Sequence, residues 1–155
     1  MRINFYDARI TDDDRTILVK EKGVNYCEDT NLNCPQKIAN MMQDLLHMGT
    51  LAEEHCYMIA LNTSCKMLGM FFLSKGTVDT SLLSPREIFM RALLIGAAQI
   101  TICHNHPSGS PLPSETDIKL TQKFKEAGEL LYIPLADHII IGRNSYVSFR
   151  EEKLL

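Results

Sequence analysis

The sequence predicts a single α+β domain, a mixed β-sheet flanked by helices. Three observations carry that prediction. The chain has 155 residues, enough for one domain with a real core and too few for two. Short β-branched and aromatic runs bounded by turn signals recur along it. Between them lie segments whose apolar residues repeat at helical spacing.

In chain order, Ile3 to Ile10 and Thr16 to Lys20 are strand-like runs separated by the acidic turn Thr11-Asp12-Asp13-Asp14. Pro35 to Met48 carries Ile38, Met41, Met42, Leu45 and Leu46 at offsets that place them on one helix face, and Gly49 is positioned to close the helix. His55 to Asn62 and Lys66 to Leu73 predict an antiparallel hairpin around Asn62-Thr63-Ser64. Ser84-Pro85-Arg86-Glu87 combines an N-cap serine, a first-turn proline and an acidic third position, and predicts a mostly buried helix to Ala98. The apolar run Gln99 to Cys103 predicts a buried strand. A helix follows from Thr116 to Gly128, then strands over Leu130 to Ile133, Ala136 to Ile141 and Ser145 to Phe149.

The chemistry concentrates in Cys103 to Asp117, CHNHPSGSPLPSETD. Side chains alternate along an extended chain, so His104 and His106 face the same way if extension continues through Asn105. Pro111 and Pro113 delay helix initiation to Ser114. Asp117 precedes Leu120 by three and Thr121 by four, which turns it inward with the helix's apolar side. Two imidazoles and a carboxylate would leave a fourth tetrahedral position for water, as a catalytic zinc site requires. Taken alone, Ser114-Glu-Thr-Asp117 is an ordinary capping pattern. Helix capping does not demand an H-x-H followed by seven intervening residues, and the conjunction favours a metal.

Composition is that of an ordinary globular chain, 45% hydrophobic and 23% charged. A formal charge of -3 disfavours nonspecific nucleic-acid binding. No apolar run approaches membrane-spanning length, and residues 1 to 14 lack the apolar core of a secretory leader. Five cysteines, Cys27, Cys34, Cys56, Cys65 and Cys103, form no C-x-x-C pair, which points to an intracellular, reducing compartment, the cytoplasm. Cys27 with Cys34 as half a second metal site, and the Asp12 to Asp14 run as a cation site, are both weaker than a structural explanation. Cys103 falls on the face opposite both histidines and is expected to be a buried thiol.

His104-Asn105-His106-Pro107-Ser108-Gly109, with Ser114 and Asp117 at this spacing, resembles the JAMM (JAB1/MPN+) metallopeptidase motif in the form carried by bacterial RadC-like proteins. Ser84 to Phe89, Asp137 to Gly142 and Tyr146 to Phe149 are also similar to that family. The resemblance implies a single JAB/MPN domain with cytidine-deaminase-like layering over residues 31 to 155, and the two strand-like runs before it are expected to form an N-terminal β extension over residues 1 to 30. It implies a zinc-dependent hydrolase acting on a peptide or protein substrate. Its general-base glutamate aligns with Glu54 rather than Glu53, and Ser114 aligns with the hydroxyl that assists the developing oxyanion. Asp137 and His138 match a family pattern but not its metal set, and are expected to act structurally or behind the ligands. Longer relatives carry helix-hairpin-helix sequences ahead of the metal domain, and no such pattern occurs in this chain. Two rival functions stand beside the peptidase: a metal-dependent nuclease or phosphoesterase, and a noncatalytic interaction module.

Overall fold

Residues 1–27, 31–76 and 83–155 are described by the structure, a computed structural model. Among them seven strands form one mixed sheet in the order β2-β1-β4-β3-β5-β6-β7. The strands are β1 (Arg2–Ile10), β2 (Thr16–Asn25), β3 (Glu54–Leu61), β4 (Met67–Gly76), β5 (Gln99–Asn105), β6 (Leu135–Ile141) and β7 (Tyr146–Ser148). The β1–β4 and β5–β6 pairs are parallel, and the other neighbours are antiparallel. The hairpin β1–β2 extends the same sheet, and residues 28–30, where the boundary of the expected N-terminal extension falls, lie outside the described residues.

Among the described residues three α-helices cover this sheet: α1 (Pro35–Leu46), α2 (Pro85–Leu94) and α3 (Glu115–Leu130). Ile38, Met41 and Met42 of α1 pack on Ile3, Tyr57, Ile59, Cys103, Ile139 and Ile141. On the opposite face, Ile88, Phe89 and Ala92 of α2 and Leu120 and Phe124 of α3 pack on Met58, Phe71, Ile100 and Ile102. The central strands β3 and β5 are therefore buried on both faces, which is why their sequences are nearly continuous apolar runs. Phe124 is fully buried, so it anchors the helix that carries Asp117. Its replacement by Ala is worth about 3–5 kcal/mol of cavity and transfer energy.

Helix ends differ from the sequence expectation for identifiable reasons. α1 stops at His47, which takes the left-handed conformation at φ 51°, ahead of Gly49. α2 stops at Leu94, not Ala98, because Gly96 turns the chain at φ +70°. α3 continues past Gly128 to Leu130, and this removes the strand expected over Leu130 to Ile133. Gly128 is not a terminator here. A Cβ there would lie 2.6 Å from the Ile133 carbonyl oxygen and 3.2 Å from the Phe89 ring, so it permits close packing inside the helix.

Candidate metal centre

Alternation along β5 sends Ile102 and His104 toward the α2/α3 layer and Cys103 into the α1 layer. Beyond the strand end, the His106 N–H donates to the Ile141 carbonyl at 3.1 Å, so the chain stays beside β6 for one more residue. His106 thus returns to the side of His104. The Pro107–Gly109 turn is tied back by the Gly109 N–H to the His106 carbonyl at 2.9 Å, and by the Arg143 N–H to the Gly109 carbonyl at 3.0 Å.

Asp117 arrives from the first turn of α3, where capping and ligand geometry coincide. The Asp117 N–H donates to Ser114 Oγ at 3.1 Å. In return the Ser114 N–H and hydroxyl donate to Asp117 Oδ2 at 2.7 and 2.6 Å. This capping box fixes the carboxylate, which is only 3% exposed, over the end of β5.

The three side chains converge. His104 Nε2 lies 3.1 Å from His106 Nε2 and 3.2 Å from Asp117 Oδ1, and His106 Nε2 lies 3.4 Å from Asp117 Oδ2. His106 Nδ1 sits 2.9 Å from the Ser110 carbonyl oxygen. A carbonyl only accepts, so that nitrogen carries the proton and a neutral ring presents a bare lone pair at Nε2. A carboxylate and two imidazole lone pairs aimed at one another repel unless a cation lies between them. The donor set, two imidazole nitrogens and one carboxylate oxygen from an intermediate-to-buried site, suits zinc. It is the one group of three such ligand residues among the described residues.

A proton satisfies the same cage when metal is absent. Burial pushes the Asp117 carboxyl up, but hydrogen bonds from His104, His106 and Ser114 prevail and hold it well below the usual carboxylate range. His106 is raised above the ordinary imidazole value of 6.5, chiefly by Asp117. His138 is depressed well below 6.5 by burial and by His104. The signs give opposite windows. His106 contributes stability that is complete below pH 6.5 and is lost as pH rises through its raised value. His138 excludes a proton that the unfolded chain accepts, so its contribution is lost as pH falls below 6.5. Metal-free protein is therefore expected to melt highest near pH 6.5, and zinc to abolish the alkaline decline. Thermal melts in chelator check this, and a melting temperature rising steadily above neutrality contradicts it.

Glu54 and Glu53 separate cleanly. Glu53 is exposed and paired to Lys75 Nζ at 2.7 Å. Glu54 lines an open cleft with His106, Pro107, Ser108, Ser114, Thr116 and Asp117. Register explains the difference: Cys56 pairs with His104 on antiparallel strands, so two steps outward on each strand bring Glu54 and His106 to matching positions. Asn105, buried between the two histidines in sequence, fixes this junction. Its Oδ1 accepts from the His55 N–H at 2.8 Å and its Nδ2 donates to the Glu53 carbonyl at 3.1 Å, gripping the backbone on either side of Glu54. Nothing in the local sequence pattern singles out Asn105 beyond its place in H-x-H.

His138 stands behind the His-His-Asp group, with Nε2 2.8 Å from His104 Nδ1. Asp137 faces elsewhere, accepting from the Ser148 hydroxyl at 2.6 Å and from the Arg150 N–H at 3.0 Å, and it steadies the turn after β7. Asp13 is held by Arg15 at 2.6 Å in the β1–β2 turn.

A seven-stranded mixed sheet with three helices, carrying where a central strand meets a helix N-terminus a His-His-Asp group that could hold a metal ion, defines a JAB/MPN-like domain. Comparison with known sequences makes this specific: the profile of the RadC-like JAB domain matches residues 32–154, and the chain belongs to that family. It is 40% identical over 134 residues to a UPF0758 protein of Clostridium beijerinckii, covering 86% of this chain and 57% of the relative. It is likewise 40% identical over 138 residues to a UPF0758 protein of Clostridium perfringens, covering 89% of this chain and 60% of the relative. The chain thus spans less than two thirds of the length of these relatives.

Proposed function

We propose that this domain is a zinc-dependent hydrolase that cleaves an amide or isopeptide bond in a peptide or protein. The observation that carries the proposal is a cation-demanding cage of His104, His106 and Asp117 sharing an open cleft with the carboxylate of Glu54. Membership of a JAB-type family supports it. Zinc bound by these three residues would supply Lewis acidity, lowering the pKa of a coordinated water toward about 7 and polarising the scissile carbonyl.

Glu54 takes the proton of the attacking water as its oxygen bonds to the carbonyl carbon, and gives that proton to the leaving nitrogen as the C–N bond breaks. Ser114 turns its hydroxyl toward the developing oxyanion. That proton is directed at Asp117 Oδ2, and when it swings away the Ser114 N–H still holds Oδ2 at 2.7 Å. The ligand carboxylate therefore keeps its orientation through the step.

A phosphodiesterase would bind an anion in the same cleft. The lining residues include two carboxylates, Glu54 and Asp117, and no lysine or arginine, which favours an uncharged amide. We also place the protein in a reducing, cytoplasmic setting: all five cysteines, each a described residue, are free thiols. No helix among the described residues is long and apolar enough to cross a membrane. Zinc-loaded protein assayed against peptide, isopeptide and phosphodiester panels tests the proposal. Metal-dependent amide cleavage that Glu54→Gln suppresses is expected, and phosphodiester cleavage alone overturns it.

A further inference from the structure

Three hydrogen bonds run in series behind His104. The Thr121 hydroxyl lies 2.6 Å from the Asp117 carbonyl oxygen and 2.6 Å from His138 Nδ1, and His138 Nε2 lies 2.8 Å from His104 Nδ1. Thr121 and His138 are each 1% exposed and His104 is wholly buried, so water does not compete for these groups.

The proton positions follow from one end. The Asp117 carbonyl can only accept, so Thr121 spends its one proton there. Its oxygen must then accept from His138, which places the His138 proton on Nδ1. His138 Nε2 is left as an acceptor and takes the proton of His104 Nδ1. With His104 neutral, as a metal ligand must be, its Nε2 lone pair faces His106 and Asp117; the hydrogen bond that this nitrogen donates to Asp117 in the metal-free cage leaves the Nδ1 link unchanged. Phe149, stacked on His138 with ring centroids 4.8 Å apart, holds the middle ring in plane. Each link depends on the one before it.

We infer that Thr121 and His138 are positioning residues that set the tautomer of His104 and so prepare it as a metal ligand. Because Thr121 bonds to the backbone of Asp117, the same relay couples one ligand to another. This inference rests on the assignment of His104, His106 and Asp117 as ligands, but its core can be measured without metal.

Ring ¹⁵N–¹H spectra of the metal-free and zinc-loaded protein report which nitrogen of His138 carries the proton. Nδ1 is expected in both, and a proton on Nε2 overturns the inference. Thr121→Val keeps shape and deletes the hydroxyl. It should release His138 from a single tautomer and weaken zinc binding, in competition with a chelator, by about 10- to 100-fold. Thr121→Ser should restore both. Were Thr121 only a packing residue, valine would serve and serine would be the worse substitute, and that order of zinc affinities contradicts the relay. If the valine variant does not fold, the wild-type spectra still decide. If wild-type protein binds no zinc, the ligand assignment fails while the metal-free spectrum continues to judge the relay.

Discussion

Glu54→Gln is expected to leave zinc bound and to lower turnover by roughly 10²- to 10⁴-fold, the contribution typical of a positioned general base. The substitution keeps size and hydrogen-bonding reach while removing the carboxylate charge and with it the ability to take a proton. Glu54 lines the cleft beside the His104, His106 and Asp117 group without belonging to it, and glutamine keeps its shape, so metal content and melting temperature should hardly change. Glu53→Gln is the matched control. It breaks an exposed ion pair with Lys75, an interaction worth about 0–1 kcal/mol, and should leave turnover intact. Loss of zinc in Glu54→Gln, or loss of turnover in Glu53→Gln instead, contradicts the assignment of the base.

Asp117→Asn should fail differently, with metal affinity and thermal stability falling together. The carboxylate has two duties: Oδ1 faces His104 Nε2 at 3.2 Å and Oδ2 closes the capping box with Ser114. An amide is a poor zinc ligand, and loss of the charge at the α3 N-terminus costs about 0.3–1 kcal/mol. If the amide group is placed to accept from the Ser114 N–H, its NH₂ faces the histidines, where the site needs an acceptor. The alternative rotamer spoils the cap. Chelator competition and a melting curve measure the two effects, and Asp117→Asn binding zinc as tightly as wild type is the contrary result.

These contrasts show which parts of the site were written locally in the sequence. His104 and His106 share a face because β5 extends two residues beyond its apolar run, and Asp117 turns inward because Leu120, Thr121 and Phe124 do. Strand alternation and helical spacing suffice for both. Glu54 needed something further: its distance from the histidines depends on the β3–β5 register, a pairing across some fifty residues that short-range patterns do not encode. Resemblance to the JAMM motif supplied it.

His138 was visible in the sequence as half of an Asp-His pair, yet nothing local tells which of the two meets His104. The parallel pairing of Ile102 with His138 decides it, placing His138 on the ligand side and Asp137 on the other. Helix ends were misjudged where a glycine has two possible uses. Gly96 ends a helix through its positive φ, whereas Gly128 sits inside one because a neighbouring backbone comes too close for a side chain. Sequence spacing alone does not distinguish these uses.

Metal analysis of protein purified without added zinc, wild type beside the His104→Ala/His106→Ala double variant, tests the central claim most directly. The cage of His104, His106 and Asp117 predicts about one zinc per wild-type chain and none in the double variant, which loses both nitrogen ligands. A double variant that keeps its full complement of zinc would show that the metal is held elsewhere, and a wild-type chain that takes up none would show that these three side chains do not form a zinc site.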